Sequence, residues 1–126
     1  MKFTTLKNQM SQTTSDSIFE EIDSLTDFHQ GWHYGEGDPV SEKAAKLAKQ
    51  FHREVSHDGQ SDVFPGLEGS VILEYFTFPV SVEVEVHPDG TYRVSREIGM
   101  GLDFDRDFYK NGVSKQKAKE VVQDSD

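Results

Sequence analysis

The sequence predicts an α+β fold: two N-terminal helices packed on a three- to four-stranded antiparallel β-meander, followed by a short C-terminal helix. Three observations lead there. Ser70–Glu97 contains three runs in which apolar and polar residues alternate. Two earlier stretches repeat apolar residues at helical spacing. Finally, Phe78-Pro79 and Pro88-Asp89-Gly90 punctuate the alternating runs as turns.

In chain order, residues 1–14 are polar apart from Phe3 and Leu6 and are expected to form a flexible terminus. The first helix is expected to begin at Ser17, where Ser17 and Glu20 form an S-x-x-E capping box, and to stop at Gly31. Ile18, Phe19, Ile22, Leu25 and Phe28 make its apolar stripe, while Glu20, Glu21, Asp23 and Asp27 face outwards. Next, Gly31-Trp32-His33-Tyr34-Gly35-Glu36-Gly37-Asp38-Pro39 gathers three glycines, a proline and the only tryptophan into nine residues. Two readings of this loop stand side by side. Either it presents Trp32 and Tyr34 for binding, or it is a tight connector whose Trp32 plugs one end of the core.

The second helix is expected from Ser41, its N-cap, to Val55, burying Ala44, Leu47, Ala48, Phe51 and Val55. Its other face carries Lys43, Lys46, Lys49 and Arg53. Residues 58–69 are expected to be a loop folded over the sheet edge, with Val63, Phe64 and Leu67 amid turn residues.

The register of the meander follows from its turns. A tight turn at Phe78-Pro79, where proline leaves the peptide open to cis or trans, pairs Tyr75 with Val82, Leu73 with Val84 and Val71 with Val86. It also sets Glu74 opposite Glu83, a like-charge pair that argues for a wider turn. A tip at Pro88-Asp89-Gly90 pairs Val86 with Tyr92, Val84 with Val94 and Glu85 with Arg93. Residues 99–113 read as a short edge strand or an acidic loop. Ser114 caps a final helix over residues 115–123, ahead of an acidic end expected to fray. The domain layout is therefore a terminus at 1–14, one α+β domain at 15–113 and the C-terminal helix and tail at 114–126.

Charge narrows the functional classes. The chain carries 13 basic and 23 acidic side chains, a formal net charge of −10. Residues 11–30 alone hold five acids and no base. Such a balance argues against direct contact with nucleic acid or an anionic membrane, and it suits a basic protein partner. Without cysteine there is no disulfide, thiol nucleophile or thiolate metal site. No apolar run resembles a signal peptide or membrane span, so a cytoplasmic location is the expectation.

Little in the sequence points to catalysis. Asp103, Asp105 and Asp107 follow a D-x-D-x-D pattern, but a calcium loop needs glycine at the position of Phe108 and glutamate at that of Ser114. His29 and His33 have the spacing of a helical metal pair with Gly31 between them, and His52 and His57 are expected on different helix sides. No serine stands in a nucleophile elbow. The best acid–base pair is His33 with Glu36. No cofactor or metal is expected.

The segment Trp32-His33-Tyr34-Gly35-Glu36-Gly37, one helix, and then Asp62-Val63-Phe64-Pro65-Gly66-Leu67-Glu68-Gly69 resemble a family of small uncharacterised bacterial proteins. That family joins a W-x-YGEG-like segment to a D-x-FPGL-x-G segment ahead of a strand-rich region ending in a DG hairpin. The resemblance covers about residues 25–98. It implies a bacterial or phage source and an α+β fold, and it transfers no active site.

The leading expectation is thus a non-enzymatic, acidic protein-binding module, an inhibitor, immunity or antitoxin-type partner of a basic protein. The candidate binding residues are Trp32, Tyr34, Glu36, Glu74, Phe76, Glu83 and Glu85. The alternatives are a small metal-dependent hydrolase centred on the Trp32–Asp38 loop, and a homo-oligomeric structural module pairing through its sheet.

Overall fold

A computed structural model describes residues 16–100 and 103–126. Among them are three helices and five strands in the order α1 (Asp16–Leu25), α2 (Glu42–Glu54), β1 (Gln60–Pro65), β2 (Val71–Thr77), β3 (Val80–Val86), β4 (Tyr92–Met100), β5 (Asp103–Val113) and α3 (Lys115–Asp124). The strands form one antiparallel sheet in sequence order. The α+β class and the two leading helices agree with the sequence, but the meander has five strands where three or four were expected.

The centre of the sheet has the register that the turns dictate. Val71, Leu73 and Tyr75 oppose Val86, Val84 and Val82, and Val84 and Val86 oppose Val94 and Tyr92. The Phe78-Pro79 peptide is cis. Glu74 does stand opposite Glu83, so the like-charge pair is tolerated and the turn is not widened.

Both extra strands lie at the edges. Residues 60–65, expected to be loop, form β1, with Val63 opposite Leu73 and facing the core. In Asp62-Val63-Phe64 two apolar residues stand side by side, so no alternation marks a strand ahead of Pro65 and Gly66. Residues 103–113 form the long strand β5, whose pairing with β4 shifts register between Tyr92 and Arg93 and again between Arg96 and Glu97. These bulges break the period-two pattern in β5.

All three helices cover the same face. Ile18, Ile22 and Leu25 of α1, Ala44, Ala48 and Phe51 of α2, and Ala118, Val121 and Val122 of α3 join Val63, Val71, Leu73, Tyr75, Val82, Val84, Val86, Tyr92 and Val94 in one core. Burying a ring such as that of Phe51, fully enclosed, stabilises the fold by about 2–3 kcal/mol. Ser41 Oγ accepts the Ala44 N–H at 2.9 Å and starts α2 as its sequence indicates. Helix α1 already includes Asp16, so Ser17 lies inside it and is not its cap. Its end unwinds through three i→i−3 backbone bonds, from Thr26, Asp27 and Phe28, well before Gly31.

The basic side of α2 is partly spent within the molecule. Lys49 Nζ lies 2.7 Å from Asp23 Oδ1 of α1, and the Arg53 guanidinium lies over the Phe19 ring at 5.6 Å. Lys115 and Lys119 of α3 reach Glu54 at 2.9 and 3.5 Å. Past α3, Asp126 accepts the Asp58 N–H (2.9 Å) and the Thr77 hydroxyl (3.2 Å), which ties down the acidic end.

Candidate functional site

Because the helices occupy one face of the sheet, the other face is left uncovered among the described residues. Its side chains can be read across the strands from the register. One row runs Asp62–Glu74–Glu83–Ser95–Tyr109, a second Phe64–Ile72–Glu85–Arg93–Asn111, and a third Gln60–Phe76–Ser81–Glu97–Arg106. Five acids stand here against two arginines, with Phe64, Ile72 and Phe76 as apolar footing at the β1–β2 side.

The carboxylates on this face sit in two environments. Burial, followed by the charges of Glu83 and Asp62, pushes Glu74 above the usual carboxylate range, and a hydrogen bond from Ser81 offsets only part of this. Burial acts the same way on Glu85, but there hydrogen bonds from Ser70 and Arg93 outweigh it and hold the carboxyl below its usual value. Arg93 Nε donates to Glu85 Oε1 at 2.8 Å and its second arm reaches Glu83 at 3.6 Å. Ser70 donates to Glu85 Oε2. Across the sheet, Tyr109 carries the guanidinium groups of Arg93 and Arg106 over its ring at 5.9 and 5.1 Å. Four of the five acids thus lie over β1–β3, with Glu97 on β4, and a cationic, aromatic corner lies over β4–β5.

The Trp32 loop is a miniature hairpin. His33 and Glu36 exchange both backbone hydrogen bonds, at 2.7 and 2.8 Å, around Tyr34 and Gly35. Both turn residues have positive φ, +51° and +88°, the requirement of a type I′ turn. For tyrosine that conformation is strained, yet its side chain is 96% exposed. Trp32 does not plug the core. It is half-buried, its Nε1–H donates to the Asp38 carbonyl at 2.8 Å, and its ring meets Phe28 edge-on at 5.2 Å. A Cβ on Gly37 would stand 2.8 Å from that nitrogen, so the indole seals its own loop.

The sequence-predicted site residues therefore fall into two groups. Glu74, Phe76, Glu83 and Glu85 share the open face; Trp32, Tyr34 and Glu36 belong to the hairpin. Among the described contacts, none links the two groups directly. Sequence reasoning paired Arg93 with Glu85, as the structure has it, but missed Asp62, Arg106 and Tyr109 as members of the face, because their membership depends on the edge strands and on the bulges of β4–β5.

The arrangement offers little to catalysis. His33 and Glu36 pair through their backbones and both side chains are exposed, whereas a catalytic acid or base needs surroundings that tune it. Among the described residues, no group of three or more His, Asp or Glu side chains is placed to hold a metal ion. His52 and His57 do not point apart. Helix α2 ends at Glu54, so His57 lies outside it, and both rings gather on Tyr75, at 5.7 and 5.3 Å, with His52 Nδ1 2.9 Å from the Tyr75 hydroxyl.

A Thr–His–Asp trio also occurs, and its tautomer rules out nucleophile activation. His57 Nδ1 accepts the Gly59 N–H at 3.2 Å, so the neutral ring carries its proton on Nε2, facing Thr77 Oγ1 at 3.1 Å. A nitrogen that donates cannot take the threonine proton. The trio anchors the chain end.

Compared with known proteins, this chain matches no family model, no curated protein and no solved structure. Among the described residues no helix is long and apolar enough to cross a membrane.

Proposed function

We propose that the protein is a non-enzymatic binding module that docks a basic segment of a partner protein on its open sheet face, as an inhibitor, immunity or antitoxin-type protein would. The observation that carries this reading is the face itself: five strands wide, free of helices among the described residues, acidic over β1–β3 and partly apolar. Complementary charge would steer a lysine- and arginine-rich partner and fix its orientation, and the apolar side chains would supply desolvated contact.

The sheet edges support the same choice. β5 carries Asp105, Arg106, Asp107 and Lys110, and β1 is six residues long and ends in Pro65. Charges, shortness and proline all discourage pairing with a further strand. Five acids against two arginines also disfavour stacking two such faces together, which speaks against the homo-oligomer.

Affinity capture at low and high salt tests the proposal, with Glu74→Lys as the face variant and Lys43→Glu as a control on the helix side. A basic protein that is released by salt, retained by Lys43→Glu and lost by Glu74→Lys supports it. Binding that is indifferent to salt and to Glu74→Lys overturns it.

A further inference from the structure

Three loops meet at one end of the open face. The α1–α2 loop is stitched to the β1–β2 loop by the Asp38 N–H donating to the Leu67 carbonyl (2.7 Å) and the Ser41 N–H donating to the Gly69 carbonyl (2.9 Å). A Cβ on Gly69 would lie 3.3 Å from the Pro39 carbonyl oxygen and 3.7 Å from Pro88 Cγ, so the β3–β4 turn closes on the same point. Glu36, Asp38, Glu68 and Asp89 are exposed in these loops. Glu68 forms no ion pair among the described residues.

Beside Glu68 lies a depression of about 470 Å³ lined by Pro65, Gly66, Leu67, Glu68, Ile72 and Glu85. Its walls combine two chemistries. Pro65, Leu67 and Ile72 are apolar, and Leu67 is 45% exposed. Glu85 stands on the same wall, where each oxygen already accepts one hydrogen bond, from Arg93 and from Ser70. A carboxylate has about four acceptor positions, so each oxygen retains one. An apolar surface with carboxylates at its rim matches a side chain that has a methylene stem and a cationic head. A planar guanidinium, with five donors, can bridge two carboxylates at once, which an ammonium does less well.

We propose that this depression receives an arginine side chain of the partner, its methylenes on Leu67 and Ile72 and its guanidinium between Glu68 and Glu85. The assignment rests on the docking reading above and locates its anchor. It also explains why the hairpin and the sheet face belong to one surface: Asp38 and Glu68, bridged through their backbones, place the hairpin's loop beside the depression.

The test is an NMR titration of the full chain with acetyl-Gly-Arg-Gly-amide, beside the lysine and citrulline versions of the same peptide. Citrulline keeps the shape of arginine without its charge. The expected result is perturbation of the Leu67, Glu68 and Ile72 amides at millimolar peptide, with citrulline binding about tenfold more weakly, the loss of ~1.4 kcal/mol expected for one charge-assisted contact. Glu68→Gln and Leu67→Ser, both at exposed positions, should each weaken binding several-fold while leaving the spectrum folded. Equal response to lysine overturns the guanidinium assignment. Perturbation confined to Asp62 and Glu74, or none at all, overturns the pocket. In either case, capture that remains sensitive to Glu74→Lys leaves the docking face standing, whereas loss of that sensitivity removes both.

Discussion

Gly66→Ala should destabilise the protein through a single, locatable collision. Gly66 is not among the glycines with positive φ, so backbone conformation does not demand it. Space does. A Cβ there would stand 1.9 Å from Ser70 Oγ, 3.1 Å from Ser70 Cβ and 2.8 Å from Glu85 Oε2. Ser70 is fully buried and donates to Glu85, while the Gly66 N–H donates to the Ser70 carbonyl at 2.9 Å. The methyl must therefore either expel the hydroxyl from a charge-assisted hydrogen bond or part the two backbones. Either route costs about 2–3 kcal/mol, from overpacking together with a lost hydrogen bond to a charged group. For a chain of this length that lowers Tm by about 10 °C. Urea unfolding followed by far-UV circular dichroism measures it, and a double-mutant cycle locates it. With Ser70→Ala as background the nearest oxygen is gone, and Gly66→Ala should then cost under about 1 kcal/mol more. If Gly66→Ala costs the same in both backgrounds, or costs nothing in either, the steric argument is wrong.

Three further outcomes follow from the described contacts. Glu74→Gln removes a like charge directly across from Glu83 and should stabilise the protein by about 0.5 kcal/mol at neutral pH. Because the folded-state pKa of Glu74 is raised, its ionisation disfavours the native state above that pKa and the penalty disappears as pH falls through it; the advantage of Gln should vanish over the same acidic range in denaturant titrations. His57 has the opposite slope: burial, only partly opposed by Asp126 and Asp58, lowers its pKa from 6.5, so its contribution is intact above that value and declines as pH falls below it. Asp126→Asn should lower the His57 pKa further in an NMR titration, and a rise would contradict the assigned contact. Tyr34→Gly removes a strained side chain from an αL position, so it should leave stability unchanged or raise it by up to about 1 kcal/mol in thermal melts, despite deleting a large aromatic residue. A loss of more than that would mean Tyr34 packs somewhere after all.

The sheet centre was legible because both turns are short and carry characteristic residues. With Phe78-Pro79 and Pro88-Asp89-Gly90 placed, every pairing from Val71 to Val94 follows, since one slipped residue would turn Val82, Val84 and Val86 to the solvent. Helix α2 was legible for a similar reason: Ser41 and the Ala44–Phe51 stripe agree. The edges were not. β1 has one core residue, Val63, and gains its strand character from β2 and α1, neither of which leaves a mark on Asp62 or Phe64. β5 owes its geometry to two bulges that no local pattern announces. Glu74, Glu83 and Glu85 of the candidate face could be named in advance, but Glu83 and Glu85 differ in role only because Ser70 and Arg93 are near, and Ser70 reaches Glu85 only because residue 66 lacks a side chain.

The order of the strands bears on how the chain reaches this structure. Every strand pairs with its neighbour in sequence, so no pairing waits for a distant segment to arrive. Loop-closure entropy is low for each hairpin, and a meander of this kind should assemble by successive zipping, faster than a sheet with crossover connections. The β2–β3–β4 centre, with the shortest turn and the apolar face, is the natural nucleus. The long-range ties come at the ends, where Asp126 meets Asp58 and Thr77, and Lys115 and Lys119 meet Glu54. Contacts of that range are worth little in the transition state and most to the finished fold, so weakening them should hasten unfolding while leaving the folding rate almost untouched.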